Sequence, residues 1–230
     1  MINASLERCL SFINSQSAPT SRVVTPVGLR RAVTISRQAG CGAVHVAEKL
    51  AAYLQQHAPP QNAPWTIFDR NLMDQVLADH NLPAYLAKML PEDRMSALED
   101  MIAEIVGARP SVQKLVVQTS ETVLQLADLG GVIIIGRGGN IITAKLPHVL
   151  HVRLVAPLDD RVERICRDDN KSPAAARKFC TEEEQSRARY IKTYFNADIS
   201  DPMGYHLTVN TSLVGYENTA KLIGDAVLRL

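Results

Sequence analysis

The chain contains 230 residues, of which 46% are hydrophobic and 21% charged, and its formal net charge is +1. A chain of this length can bury a full core and most simply forms one domain of α/β size. The near-zero net charge excludes a global field that would attract nucleic acid or an acidic membrane. Aromatic residues make up only 5% of the chain, too few for the stacking surfaces that single-stranded nucleic acids need, so we expect no nucleic-acid partner.

The four cysteines indicate a reduced protein, because they form no C-x-x-C pair and no spacing with histidine that is typical of zinc. The N-terminal stretch MINASLERCLSFINSQ lacks the basic-then-apolar order of a signal peptide. The longest apolar run, GVIIIG, is too short to cross a bilayer. We therefore expect a cytoplasmic protein without a membrane partner.

The first 30 residues are predicted to be separate from the rest of the chain. A short amphipathic helix over residues 4–16 places Leu6, Leu10 and Ile13 near one face. The stretch that follows, SAPTSRVVTPVG, is rich in Ser, Thr and Pro and is typical of a linker. We divide the chain into an N-terminal helix with its linker, residues 1–30, and a domain over residues 31–230. The N-terminal helix is a candidate surface for homo-oligomer formation.

From residue 31 onward, buried-strand patterns alternate with helical patterns. Strands are predicted at residues 32–36, 65–69, 131–136, 148–156 and 205–211. Helices are predicted at residues 43–57, over most of 71–129, and at 159–169, 172–180, 181–195 and 215–230. Continuous apolar strands separated by helices predict a three-layer α/β fold with a five-stranded parallel sheet. Ligands of such sheets bind beyond the carboxyl ends of the strands, so the loops after the strands are the candidate site.

The first of these loops carries two glycines, Gly40 and Gly42, between a strand and a helix. Glycines let a loop turn tightly and aim its amides at an anion, and the helix N-terminus adds partial positive charge. In the P-loop pattern, Arg37 stands at the first glycine position, Ala43 at the lysine, and Val44 at the Ser/Thr that would hold magnesium. On this motif alone, an ordinary strand-to-helix turn is the simpler interpretation.

Several segments together resemble the cytidylate kinase-like family, whose members are similar to nucleoside monophosphate kinases but have an ISRQ-type P-loop without the usual lysine. The segments, in family order and spacing, are VTISRQAGCGAVHVAEKLA, IFDRNLM, VIIIGRGGNII, LHVRLVAPLDDRVERI, EEEQSRARYIKTYF and DPMGYHLTVNT. The resemblance covers roughly residues 31–230. Within it, residues 40–45 read GCGAVH where the relatives resemble GSGGRE, so a helix-start arginine is absent as well.

The resemblance implies a P-loop kinase fold with a nucleotide-binding helical arm and a helical lid over approximately residues 158–195. It implies transfer of the γ-phosphoryl group of ATP, with Mg²⁺, to a nucleoside monophosphate, most directly CMP or dCMP. No metal site built from protein side chains is predicted. The loop residues expected to bind the donor phosphates are Gly40, Cys41, Gly42, Ala43 and Val44.

Two arginines that end or follow strands are candidate catalytic cations. Arg37 ends the first strand and Arg137 follows the third, and a guanidinium can bind phosphate in a bidentate manner, which lysine cannot. Glycines beside Arg137, including Gly138, leave room for a ligand to approach, and by resemblance this loop faces the acceptor. The alternatives are a structural arginine paired with a carboxylate, and glycines that only shape a turn.

Asp69 and Arg70 end the second strand and, by resemblance, border the acceptor site. Asp69 could also contact magnesium through a water molecule. Asp is a common helix N-cap residue, so the alternative makes Asp69 a cap and Arg70 a residue of the first helical turn.

A local cluster of basic residues between positions 161 and 192 is the candidate lid. Arg161 and Arg164 are three residues apart and share a helix face that could lie over a triphosphate. Glu184 and Arg187 resemble the family's acid-then-arginine pattern, in which the acid reads the acceptor nucleoside and the arginine binds phosphate. The alternatives are a solvated helix face and, for Glu184, a capping box with Thr181.

The leading hypothesis is therefore an ATP-dependent nucleoside monophosphate kinase. The absence of the P-loop lysine and hydroxyl equally fits a nucleotide-binding regulatory or interaction protein that transfers nothing. A kinase of another small acceptor is the third hypothesis. The six histidines are scattered without metal-ligand spacing, so no chemistry is assigned to them.

Overall fold

The computed structural model describes residues 30–57, 64–69, 100–101 and 114–230. The strands are Ala32–Arg37 (β1), Thr66–Phe68 (β2), Val132–Ile135 (β3), Val149–Val155 (β4) and Leu207–Asn210 (β5). The helices are Ala43–His57 (α1), Lys114–Leu129 (α2), Gly139–Ile142 (α3), Leu158–Asp169 (α4), Pro173–Phe195 (α5), Thr211–Val214 (α6) and Tyr216–Arg229 (α7), with a 3₁₀ turn at Pro202–Gly204. The predicted N-terminal helix, its linker, Arg70 and most of the helical region predicted over residues 71–129 lie outside the described residues.

All five strands are parallel and lie in the order β2-β3-β1-β4-β5. The central strand, β1, pairs with β3 on one side and β4 on the other, with Ile35 opposite both Ile135 and Val152. The predicted five-stranded parallel sheet is confirmed. Because every strand points the same way, the loops after β1, β3 and β4 meet at one edge.

The two faces of the central strands differ in polarity. One face packs on α1 and α7 through fully buried apolar side chains such as Leu50 and Ile223, each of which contributes about 1.5–3 kcal/mol by leaving water. The opposite face is polar where β1 and β4 pair, since successive residues of a strand alternate between faces. Its register pairs are Thr34 with His151 and Ser36 with Arg153.

The residues after α4 form one helix, α5, so the prediction of two helices at 172–180 and 181–195 is wrong. Ser172 caps this helix by accepting a hydrogen bond from the Ala175 amide at 3.4 Å, and Pro173 occupies its first position, where proline is favoured. Thr181 is therefore a helix-interior residue, whose hydroxyl donates to Arg177 O at 3.0 Å. The capping-box interpretation of Glu184 is wrong for the same reason, because no helix begins at Thr181.

Candidate functional site

The loop between β1 and α1 is held to the protein through its carbonyl oxygens. Donors come from α4, from the start of α6 and from α1 itself. For Ala39, Gly40, Cys41 and Gly42 in turn, these donors are Arg161 Nη1 at 3.2 Å, Arg164 Nη1 at 3.5 Å, Thr211 Oγ1 at 2.9 Å and the Val46 amide at 3.0 Å. The carbonyl side of the loop is thus satisfied within the chain.

The amide side of the same loop is different. The backbone amides of Gly40, Cys41 and Gly42 donate to no acceptor among the residues that the structure describes. They lie just before the N-terminus of the 15-residue helix α1, whose dipole adds partial positive charge. Such a loop can accept an anion on its amide side without losing any internal hydrogen bond.

Both glycines of this loop are required by their surroundings. Gly40 and Gly42 have φ angles of +78° and +77°, which side chains rarely adopt. A Cβ at Gly40 would lie 2.7 Å from Arg161 O, and a Cβ at Gly42 would run into the ring of Tyr216. Burial raises the pKa of the Cys41 thiol to about 11, so this residue is a packed thiol and not a thiolate.

A cavity of about 380 Å³ lies where β1 leads into this loop, and it is lined by the second half of β1 and by the segment after β3. It is lined by Arg37, Arg137 and Arg187, together with Gly138, so the structure brings four of the predicted site residues together. Three chain segments supply the arginines: the end of β1, the loop after β3, and α5. Further lining comes from Thr34, Ser36, Asn140, Tyr190, Asp198 and Tyr205.

Arg37 is a largely buried cation beside a second cation. Its guanidinium lies against Gly136, where any Cβ would collide with Arg37 Nη1. Burial, and then the nearby charge of Arg187, lowers the pKa of Arg37 to about 10, although the carboxylates of Glu183 and Asp69 act in the opposite direction. Arg37 stays protonated at neutral pH, so the protein maintains a positive charge there at an energetic cost.

Arg187 and Arg137 are placed by backbone geometry. Arg187 donates through Nη1 to Arg37 O at 3.2 Å and through Nη2 to Glu183 Oε2 at 2.8 Å. Arg137 has a φ angle of +58°, in the left-handed region that favours glycine. The β3–α3 loop thus adopts a strained backbone at a residue that lines the cavity, a common feature of functional sites.

The two predicted lid arginines lie on the other side of the loop and do not line the cavity. Arg161 is only 4% exposed; it donates to Ala156 O at 2.8 Å and forms an ion pair with Glu184. Arg164 donates to Ser212 Oγ at 2.8 Å, and its guanidinium lies 5.3 Å from the ring centre of Tyr216. Their contacts with phosphate, and that of Glu184 with a nucleoside, stay predictions.

Asp69 lines a separate groove with Val44, Glu48 and Trp65, between α1 and β2. It is close enough to Arg37 to affect the pKa of that residue, although it does not line the arginine-bearing cavity. The predicted N-cap role of Asp69 depends on residues outside the described part of the chain, as does every prediction for Arg70.

Three connected polar residues at the cavity, Ser36, Arg153 and Tyr205, were not predicted as site residues. Arg153 is 8% exposed and donates to Ser36 Oγ at 2.9 Å. The hydroxyl of Tyr205 lies 3.2 Å from Ser36 Oγ, and its ring centre is 5.7 Å from the Arg153 guanidinium. The signal in the sequence was a pair of polar residues at alternate positions in each of two otherwise apolar strands, Thr34 and Ser36 in β1 and His151 and Arg153 in β4.

Among the described residues, none of the helices combines the length and the apolar character needed to span a membrane. The same part of the chain contains no cluster of three His, Cys, Asp or Glu side chains able to hold a metal ion.

Similarity to known proteins identifies the fold and the family of this chain. A solved structure of an uncharacterized protein from Eubacterium ventriosum matches with a TM-score of 0.68 at 16% sequence identity, covering 87% of this chain and 99% of that one. That likeness shows a shared fold. The model of the cytidylate kinase-like family matches residues 32–213. The chain therefore belongs to the cytidylate kinase-like family.

Similar curated proteins match over part of their length. A cytidylate kinase of Aeropyrum pernix is 34% identical over 46% of this chain and 61% of its own length. A uronate isomerase of Corynebacterium glutamicum is 28% identical over 50% of this chain and 22% of its own length. The chain thus spans less than two thirds of each of these relatives.

Proposed function

We propose that this protein transfers the γ-phosphoryl group of ATP to a nucleoside monophosphate, with CMP or dCMP as the first acceptor. The observation that carries the proposal is the convergence of Arg37, Arg137 and Arg187 on one cavity beside the glycine loop. Family membership supports the nucleotide kinase class. Phosphoryl transfer is catalysed mainly by positioning and by positive charge around the transferred group, which is what three converging guanidinium groups can supply.

The donor phosphates bind on the amide side of the loop from Gly40 to Val44. Arg37, at the end of β1, takes the charge role that a P-loop lysine has elsewhere, because it is protonated at neutral pH despite its lowered pKa of about 10. The predicted lid residues Arg161 and Arg164 support this site from behind by holding the loop carbonyls of Ala39 and Gly40. The loop thereby keeps its amides in place for an anion.

The acceptor binds in the cavity of about 380 Å³, a volume within the roughly 300–1,000 Å³ typical of small-molecule sites. Arg137 and Arg187 hold its phosphate, which already carries about −1.5 to −2 charges at neutral pH. A strong general base is therefore unnecessary, since the attacking phosphate oxygen is an anion before the reaction starts. The guanidinium groups align the acceptor and offset charge repulsion with the donor.

The residues present fit a magnesium ion that arrives with ATP better than one held by the protein alone. Mg²⁺ in kinases keeps several water ligands and uses one or two carboxylates plus substrate phosphates. Asp69 and Glu183 are the carboxylates within electrostatic range of Arg37. The ion, when bound, would neutralise charge on the donor phosphates.

The test incubates the purified protein with ATP, Mg²⁺ and a panel of nucleoside monophosphates and separates the products by chromatography. We expect CDP or dCDP, and at least a hundredfold less of it from Arg137→Ala with an unchanged circular dichroism spectrum. Arg177→Ala is the matched control, because Arg177 lies on α5 and pairs with Asp159 outside the cavity.

Binding of ATP without any diphosphate product would overturn the proposal. That outcome would favour a nucleotide-binding protein without transfer activity, the alternative that Ala43 and Val44 support by replacing the P-loop lysine and hydroxyl. Phosphorylation of a small molecule other than a nucleotide would correct the acceptor class alone.

A further inference from the structure

We propose that Ser36, Arg153 and Tyr205 form a polar floor that binds an sp² oxygen at the non-phosphate end of the acceptor, and so selects which monophosphate is used. This inference rests on the proposed function, because it deepens the description of the same cavity. Ser36 donates to the ligand, whereas Arg153 and Tyr205 are positioning residues that act through Ser36.

The strand register places the polar floor inside the site. Ser36 and Arg153 are direct partners across β1 and β4 and project from the same face of the sheet. Ser36 immediately precedes Arg37 in β1, and both of them line the cavity together with Tyr205. A ligand whose phosphate meets the arginines therefore has its other end within the same cavity as the floor.

The charge of Arg153 indicates what kind of group the floor accepts. Among the described residues no carboxylate pairs with Arg153, whose polar contacts are Ser36 Oγ and the face of the Tyr205 ring. A guanidinium has five N–H donors, and a buried cation without a counter-charge is unfavourable. An electron-rich oxygen in the cavity offsets this cost, whereas an N–H group does not.

The hydroxyl protons point to the same ligand chemistry. Tyr205 has one hydroxyl proton and two oxygen neighbours, Ile199 O at 2.9 Å and Ser36 Oγ at 3.2 Å. Because a carbonyl oxygen can only accept, the Tyr205 proton goes to Ile199 O, and Ser36 Oγ, which accepts from Arg153, can donate its own proton to a ligand oxygen in place of Tyr205 Oη. The floor thus offers one hydroxyl proton backed by the positive charge of Arg153, and this combination favours a carbonyl or carboxylate oxygen.

This chemistry separates nucleotides by their bases. Cytosine and uracil carry a ring carbonyl, orotidine 5′-monophosphate adds a carboxylate, adenine has no carbonyl oxygen, and ribose 5-phosphate has no base. We therefore expect CMP, UMP or orotidine 5′-monophosphate to bind more tightly than AMP. A higher affinity for orotidine 5′-monophosphate than for CMP and UMP would indicate a carboxylate as the favoured oxygen, and the reverse order would indicate a carbonyl.

The experiment measures kcat and KM for these five phosphate compounds with the wild-type protein, Tyr205→Phe and Ser36→Ala. Ser36→Ala removes the hydrogen bond to the ligand and Tyr205→Phe removes the hydroxyl that positions Ser36, so each variant is expected to raise KM for the preferred nucleotide roughly 5- to 10-fold. If ribose 5-phosphate is phosphorylated, its kcat and KM should be the same in both variants as in the wild-type protein. Tyr194→Phe is the matched control, because Tyr194 does not line the cavity, and both tyrosine variants keep their rings.

Calorimetric titration of the same five compounds without ATP separates this inference from the proposed function. Loss of the nucleotide preference in both floor variants, even in a protein that transfers nothing, supports the polar floor. Transfer activity with unchanged selectivity in both variants overturns the polar floor and leaves the kinase proposal intact. An equal loss of affinity for all compounds, ribose 5-phosphate included, also overturns it, because that result indicates a purely structural role.

Discussion

The glycine loop and the neighbouring cavity lie at the same edge of the sheet but use arginine in opposite ways. Behind the loop, Arg161 donates to backbone carbonyls and pairs with Glu184, so the protein itself satisfies its charge. In the cavity, the largely buried Arg37 has another cation, Arg187, as its neighbour. Burial alone therefore does not define an arginine's role; the groups that face its guanidinium do.

This difference has an energetic consequence that can be measured. A buried arginine with carbonyl and carboxylate partners stabilises the fold, and its removal leaves those partners unsatisfied. A buried arginine that faces like charge opposes folding and persists because a ligand needs it. Mutations of Arg161 and Arg37 should therefore change the free energy of unfolding with opposite signs.

The largest loss of stability is expected at Arg161, which holds the carbonyl side of the glycine loop. Arg161→Met should lower the free energy of unfolding by about 3–5 kcal/mol, the range for breaking a buried ion pair on one side. Chemical denaturation measures this value, with the exposed Arg177→Met on α5 as the control that changes little. A loss in Arg161→Met no larger than that of the control would contradict the structural role of Arg161.

A somewhat smaller effect is expected at the glycine that carries the loop into α1. Gly42→Ala combines an unfavourable positive φ angle with a collision against the Tyr216 ring, so we expect a loss of about 3 kcal/mol. The double variant with Tyr216→Ala should lose less than the sum of the two single variants, because the collision is gone. Strict additivity in a double-mutant cycle would show that Tyr216 does not restrict this position.

The polar face of the sheet should make stability depend on pH. Burial, and then the neighbouring His206, lowers the pKa of His151 to about 4, below its usual value of about 6.5. Between these two pH values the unfolded chain therefore binds more protons than the folded one. The contribution of His151 to the free energy of unfolding is complete above pH 6.5 and is lost as the pH falls to 4. Its size is at most about 3 kcal/mol.

Denaturation curves across this pH range test the contribution of His151. The pH dependence of the wild-type protein should exceed that of His151→Asn, whereas the exposed His45→Asn should behave like wild type. Parallel curves for the wild-type protein and His151→Asn would mean that His151 does not titrate abnormally.

The smallest expected change in the free energy of unfolding is an increase. Arg37→Met should raise the free energy of unfolding by about 1–2 kcal/mol, because it removes a desolvated charge beside Arg187 and keeps most of the side-chain volume. Transfer activity should fall at least a hundredfold in the same variant. Destabilisation of Arg37→Met by as much as Arg161→Met would erase the distinction between the two regions.

Local patterns were sufficient to predict most of the architecture and part of the site. Helix α1 has the predicted bounds, because Val46, Leu50 and Leu54 repeat at helical spacing. The predicted and observed strands agree to within two residues at either end. Arg37 and Arg137 were found because the carboxyl ends of parallel strands share an edge, a rule that needs only the strand positions.

Other features depend on contacts between residues far apart in the chain. The ion pair that replaces the expected cap at Glu184 joins two different helices, α4 and α5. The pairing of Ser36 with Arg153 follows from the β1–β4 register, over a separation of 117 residues.

The sequence by itself determined the α/β alternation, the glycine loop without its lysine, and the arginines that lie where strands end, because each is written in local spacing. Only the tertiary structure decided which arginines hold the loop and which face the cavity. It alone assembled the polar floor from β1, β4 and the segment before β5. The physical reason is that the environment of a guanidinium, meaning its burial and its partners, is set by packing between elements that no local pattern encodes.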